Sequence, residues 1–372
     1  MVKILLVLLL LLSGCTSKPE PYTGPTDTID QDLVAFPVVT SMDLVMVGDA
    51  IVHSNVYNDA KLSNGTYDFT DMLDLMKPLI EPYDLAFYNQ ETILGGSTLT
   101  ISNYPRFNSP QEFGDAMLDA GFNLVSLANN HTNDAGTIAI RKSDAYWKAQ
   151  DAITSGAYTT PEESTAANVY TKNGITFGFL AYTNGINGIY LAPENTYMIN
   201  QIKGTKMETD VKALRPLVDV LIVSIHMGNE YTNYPNQWQQ DTAKKLSDWG
   251  VDIVIGNHAH AIQPIQRIGK TLVYYALGNF LSGQEGTERL IGLTSAITIK
   301  KITYGNVTTI ELTDLKVELN YNYYNQYKRN VRIYPWDKVT TSLLPDKAAW
   351  EAKYLKIVNA MGANVSFTTV RK

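Results

Sequence analysis

An α/β fold with its working residues at the carboxyl ends of the strands is what this sequence predicts, on three observations. Short runs rich in Val, Ile, Leu, Tyr and Phe are almost continuously apolar, as strands buried on both faces are. Stretches with helical periodicity lie between several of these runs. Each run stops at a cluster of Gly, Asn, His or acidic residues, and in open α/β sheets ligands bind beyond the carboxyl ends of the strands.

Six runs share this layout. Leu44 to Val47 leads to Gly48-Asp49, Leu85 to Tyr88 to Asn89-Gln90-Glu91, and Leu124 to Leu127 to Ala128-Asn129-Asn130-His131. Val220 to Ile225 leads to His226, Ile253 to Ile255 to Gly256-Asn257-His258-Ala259-His260, and Leu272 to Leu277 to Gly278-Asn279. Phe69 to Leu79, Pro110 to Ala120, Ile140 to Ala149 and Gln237 to Trp249 read as helices covering the sheet, the last stopped by Gly250. No repeat of solenoid or propeller length is visible. After Leu319 the chain is rich in Tyr and Asn, then gives a helical stretch from Asp346 to Met361.

The amino terminus reads differently. Lys3, the apolar run Ile4 to Leu12 and Ser13-Gly14-Cys15 have the basic start, short apolar stretch and small-residue exit of a secretory signal. The run falls short of the about 20 apolar residues that span a bilayer. Leu-Ser-Gly-Cys resembles a bacterial lipobox, in which Cys15 receives a fatty-acyl anchor such as palmitate. Because Cys15 is the only cysteine, stability rests on core packing or bound metal rather than a disulfide within the chain. Residues 16–37, with prolines, threonines and acidic residues but no apolar period, suit a tether. The expected organisation is a signal peptide over 1–14, a tether over 15–40, a main domain over 41–320 and an extension packed on it over 321–372. That places the protein on the extracytoplasmic face of the cell membrane, lipid-anchored. A net charge of -7 argues against nucleic-acid binding, which calls for a basic surface.

All five histidines, His53, His131, His226, His258 and His260, lie just after one of the six runs. With Asp49, Glu91, Asn130 and Asn279 they form a mixed nitrogen and oxygen set without thiolate, which suits Zn, Mn, Fe or Mg. The pattern predicts two divalent ions. On an extended loop His258 and His260 would point to opposite sides and address different ions, and a carboxylate can bridge a pair that clamps an in-line displacement.

These residues carry a family resemblance. The metallophosphoesterase superfamily has D-x-H, G-D-x-x-D, G-N-H-[DE], a lone His and G-H-x-H in that order, and this chain has Gly48-Asp49, Asn89-x-Glu91, Asn130-His131, His226 and His258-x-His260. It is more closely similar to the poly-gamma-glutamate capsule biosynthesis (CapA) family, through Gly48 to His53, Asn89 to Thr92, Tyr104 to Pro110, Ser126 to Thr132, His226 to Tyr231 and Tyr275 to Phe280. The resemblance covers about residues 41 to 300. It implies a metallophosphoesterase-type β-sandwich flanked by helices. It also implies that Asp49 and His260 bind one ion, that Glu91 bridges, and that Asn130, His226 and His258 bind the other. His131 is the implied general acid for the leaving group.

Two departures stand out. Ile51 occupies the histidine position of D-x-H, and His53 either replaces it or lines the site. The family's G-H-H-P-H reads Gly256-Asn257-His258-Ala259-His260 here. Arg106 is a candidate anion contact, since a guanidinium grips carboxylate or phosphate with paired hydrogen bonds; a surface ion pair is its other use. Asn279 is a candidate partner of substrate or of a metal-held water, or a turn residue.

Two functions compete. One is a metal-dependent hydrolase acting on a phosphoester or on the gamma-amide of an anionic polymer, polyglutamate. The other is a noncatalytic component that binds or exports polyglutamate beside capsule synthase subunits. His131 beside a full ligand set favours the enzyme, since a structural metal site needs no proton donor.

Overall fold

Residues 36–372 are described by the structure, a computed structural model. The expected signal, Cys15 and most of the tether lie outside the described residues. No helix among the described residues is long and apolar enough to cross a membrane.

The strands form two sheets. In the first, β1 (Val38–Ile51), β2 (Leu85–Gln90), β3 (Leu124–Ser126) and β4 (Ile153–Ser155) run parallel. The second contains β5 (Tyr170–Lys172), β6 (Ile175–Thr183), β7 (Val220–His226), β8 (Ile253–Asn257), β9 (Ile265–Ile268) and β10 (Thr271–Tyr274), in the order β5-β6-β7-β8-β10-β9. Its four middle strands are parallel and its two edge strands antiparallel. The chain then returns to the first sheet. There β12 (Ile291–Tyr304), β13 (Val307–Tyr323) and β14 (Arg332–Pro335) extend it as an antiparallel block from the edge of β1 away from β2, and β11 (Asn279–Ser282) pairs parallel with the end of β1 on that same edge.

The near-continuous apolar runs have the cause expected of them. In β1, Leu44 and Met46 pack in one cluster with Phe177, Ile222 and Ile255 of the second sheet. Val45 and Val47, on the opposite face, pack with Met117 and Ile140 from helices. In the second sheet Val223 and Val254 face outward against Val211, Ala243 and Leu246. Period-two alternation thus buries both faces, giving four layers: helix, sheet, sheet, helix. The α/β sandwich flanked by helices is borne out.

Several elements differ from expectation. The stretch Phe69 to Leu79 is two single turns, Thr70–Leu73 and Lys77–Ile80, because Pro78 has no N–H to continue a helix and sits in the first turn of the second piece. The other expected helices are Glu112–Asp119, Gly136–Lys148, Gln237–Asp248 and Lys347–Val358. Asn236 and Gln239 close a reciprocal capping box at the start of the third, and Gly250, at φ 88°, follows its end. The boundary expected at 320 falls inside β13, so residues beyond it continue the first sheet before the closing helix. Residues 37–372 form one compact unit.

Candidate metal centre

The parallel strands of both sheets end at one place. Asp49 lies near the end of β1, Glu91 directly follows β2, His226 closes β7, and His258 and His260 follow β8. Two glycines permit the approach. A Cβ on Gly48 would lie 1.8 Å from the Gly278 carbonyl oxygen, and one on Gly256 would lie 2.0 Å from that of Tyr275. Without side chains there, the Asp49 N–H donates to the Gly278 carbonyl at 2.9 Å, and the chain leaves the second sheet so that β11 pairs with β1.

Glu91 is the centre of the arrangement. Its carboxylate is fully buried; Oε1 lies 3.6 Å from His226 Nε2 and 3.5 Å from His260 Nε2. Two groups of ligand-type side chains share it, Glu91 with His258 and His260, and Glu91 with Asp49 and His226, and in each the donor atoms lie within 4.8 Å of one another. Asn130 joins through its Oδ1, 2.9 Å from His226 Nε2. The two histidines after β8 thus fall in one ligand group with Glu91. The loop is not extended there: His258 has φ 88° and His260 φ 50°, left-handed conformations that are strained for these residues. The Tyr231 N–H, donating to the Ala259 carbonyl at 2.7 Å, pins the loop between them.

The electrostatics are those of a crowded buried site. Burial, then the neighbouring imidazoles, hold His226 well below the ordinary histidine value. Burial, then His260, hold His258 down to about 4. Burial opposes charge on His260 as well, but the carboxylates of Glu91 and Asp49 outweigh it and raise that imidazole to about 9. Burial pushes the Glu91 carboxyl well up, with Asp49 adding to the effect.

These residues fit a metal. Neither Glu91 oxygen has a hydrogen-bond partner, and buried His258 Nδ1 has none. Leaving buried polar atoms unmet is costly, and an unpaired carboxylate most of all. A metal cation would supply the missing partner, and imidazole with carboxylate is the donor set that borderline and hard ions take.

His131 stands beside this group with a partner of its own. Its Nδ1 lies 2.6 Å from Asp134 Oδ2 and 3.1 Å from Asn187 Nδ2. The same Asp134 oxygen accepts from the Phe107 N–H at 2.8 Å, and Phe107 packs edge-on to the His131 ring at 4.8 Å. His53 is in neither ligand group. Its Nδ1 accepts from the Gly283 N–H at 3.1 Å, its ring packs on Phe107, and burial holds it down to about 4. Asn279 opens β11 and reaches His260 Nδ1 with its Oδ1 at 3.1 Å, while its amide donates to Gln284 and to the Arg289 carbonyl. It orients a histidine rather than forming a turn. Arg106 is exposed and lines a cavity with Asn130 and His131; no ion pair holds it among the described residues.

Three neighbours were not singled out in the sequence. Asn89 donates to Asp49 Oδ1 at 2.8 Å and lies 3.3 Å from His226 Nδ1, so it holds both. It sits two residues before Glu91 and was visible as part of that cluster. Asp134, three residues after His131, was visible as a spacing that places two side chains on one side of a turn. Asn187 carried no signal, because it comes from a loop distant in sequence.

Fold and site together define a two-sheet α/β protein with a candidate metal centre of histidines and carboxylates at its strand ends. The chain belongs to the bacterial capsule synthesis protein family PGA_cap, whose model matches residues 43–284. The resemblance read from its sequence words is thus borne out. The chain is 29% identical over 170 residues to the PGA biosynthesis protein CapA of Bacillus subtilis (strain 168), covering 45% of each chain. It is 28% identical over 184 residues to the capsule biosynthesis protein CapA of Bacillus anthracis, covering 48% of this chain and 45% of that one. The match spans a little under half the length of these curated relatives. Among solved structures, a candidate 5′-nucleotidase from Staphylococcus aureus is similar with a TM-score of 0.45 and 14% identity, over 84% of this chain and 58% of that one. The sulfate thiohydrolase SoxB of Thermus thermophilus has a TM-score of 0.36 and 13% identity, over 74% and 42%.

Proposed function

We propose that the protein is a metal-dependent hydrolase of metallophosphoesterase type, lipid-anchored through Cys15 outside the cytoplasmic membrane, that acts in the synthesis or processing of a poly-gamma-glutamate capsule. The observation that carries this reading is Glu91, a buried carboxylate with both oxygens unpartnered, ringed by Asp49, His226, His258 and His260. Family membership and the capsule-biosynthesis relatives support the capsule role.

Two divalent ions would be held here by Glu91, Asp49, Asn130, His226, His258 and His260. When bound they supply Lewis acidity, polarising the bond to be cut and bringing water within reach of ionisation near neutral pH. The chain's own residues do the rest. Asp134 accepts from His131 Nδ1, fixing the ring and leaving Nε2 to hold a proton for the departing group. Asn279 and Asn89 hold His260, Asp49 and His226 in place. Arg106 meets an anionic group at the mouth of the site.

The test is the protein purified without chelator, its metal measured by mass spectrometry, and its turnover followed on phosphomonoester, phosphodiester and γ-glutamyl oligomers beside His131→Ala. Two ions per chain with turnover lost in the variant is the expected result. Two ions with no turnover would favour a noncatalytic polyglutamate-binding or export component, and no metal would remove the ligand assignment.

A further inference from the structure

The cavity in front of His131 has a volume of about 250 Å³ and is lined by Tyr104, Arg106, Asn130, Asn187 and Glu230 among others. It is smaller than the roughly 300–1,000 Å³ pockets that hold drug-sized ligands, so it suits a group of single-residue size. Besides His131, the side chains there that carry charge at neutral pH are one exposed guanidinium, Arg106, and one exposed carboxylate, Glu230. Neither enters an ion pair among the described residues, so both are available to a ligand. A phosphate monoester, close to doubly charged near neutrality, would set its charge against Glu230. A group carrying one carboxylate and one ammonium on neighbouring atoms would satisfy both walls and find no like charge opposite it.

We propose that this cavity captures the amine-bearing end of a γ-glutamyl chain, Arg106 pairing with the α-carboxylate and Glu230 with the α-ammonium, so that residues are removed singly from that end. The inference rests on the hydrolase reading above and selects among its substrates. In a γ-linked chain every residue keeps its α-carboxylate, but only the terminal one has a free α-ammonium; interior nitrogens are amides. Arg106 therefore recognises the polymer, and Glu230 distinguishes its end from its middle. The cut amide lies on the γ-carbonyl of the captured residue. Water's oxygen bonds to that carbonyl carbon and releases its protons to solvent, the carbon–nitrogen bond breaks with its electron pair on nitrogen, and His131 delivers one proton to that nitrogen and recovers it from solvent, the new amine taking its second proton from solvent. The products are free glutamate and a chain one residue shorter with a new α-ammonium, which is again a ligand for the same cavity.

The experiment uses the full purified chain with its metal, and γ-glutamyl oligomers that are either free or N-acetylated at the amine end. Binding is measured by calorimetry and cleavage by chromatography of the products. The free oligomer should bind on the order of tenfold more tightly than the acetylated one, the scale of one charge-assisted contact at a solvent-facing mouth. Free glutamate should be the first product. Glu230→Gln, which keeps the shape, should bring that preference close to one by raising KM for the free oligomer alone, whereas Arg106→Gln should weaken both oligomers alike. Equal binding of the two oligomers, no binding of either, or first cuts within the chain would overturn the proposal. An amine preference in binding without turnover would leave the capture of the amine end standing and overturn the removal of residues with the hydrolase reading; turnover without that preference would keep the hydrolase and overturn the capture.

Discussion

At the scale of single residues, the site depends on what holds each ligand as much as on the ligands. His131 is the clearest case. Its imidazole is positioned by one carboxylate oxygen of Asp134, which the Phe107 N–H also engages. Asp134→Asn keeps the shape but removes the charge that favours Nδ1–H. General acid catalysis by a positioned side chain contributes about 10² to 10⁴-fold, and a mispositioned donor forfeits part of that. Turnover should therefore fall by roughly 10 to 10²-fold with the metal content unchanged, read by steady-state kinetics beside metal analysis. Full activity in that variant would mean that Asp134 serves only the loop.

Among the elements, the decisive contact is the one between β1 and β11. Gly48 lets β1 run against the Gly278 carbonyl, and the register that follows sets Asp49 opposite Asn279, whose side chain reaches His260. A methyl group there meets backbone, which cannot swing aside as a side chain could. Gly48→Ala should cost about 1–3 kcal/mol or more, the usual penalty of overpacking, and should loosen metal binding in the same variant. Urea unfolding with and without metal measures both. A variant as stable as the parent would show that the strands separate without penalty.

Over the whole molecule, the last residues tie the first sheet to the surface below β2. Lys372 pairs with Asp43 on β1, donates to the Pro82 carbonyl and lies over the Tyr83 ring, while Glu318 on β13 accepts from the Val370 N–H. Partial burial would raise the Asp43 carboxyl, but hydrogen bonds from Lys372 and Thr298 outweigh it and hold it below its ordinary value of 3.8. A lowered folded-state value means that the unfolded chain takes up the proton first as pH falls. The contribution is thus fully present above about pH 5 and is lost as pH drops through 4 toward the folded-state value. Denaturation midpoints from pH 7 to pH 3 should fall less steeply for Asp43→Asn than for the parent, the two curves converging at the acid end. Parallel curves would assign the acid sensitivity to other carboxylates.

Much of this was legible in the sequence, and the reasons are local. Apolar runs ending in polar clusters marked the parallel strands, because burial on both faces leaves no polar position along a strand. The confinement of all five histidines to strand ends marked the centre. The long β12–β13 hairpin passed unremarked, although its Thr and Ile alternation and the Gly305-Asn306 turn are the ordinary signal for one. The single helix expected over Phe69 to Leu79 failed on Pro78. Which residues could be ligands was thus a property of the sequence by itself. Which of them face Glu91 was decided only by the tertiary structure. His53 looks equivalent to its fellows along the chain, yet it packs on Phe107 outside both ligand groups. His258 and His260 share one ligand group with Glu91, where two left-handed backbone positions turn the loop. The cause is geometric: the donor atoms come from strands in two sheets, and their distances follow from how those sheets pack, which no local pattern records.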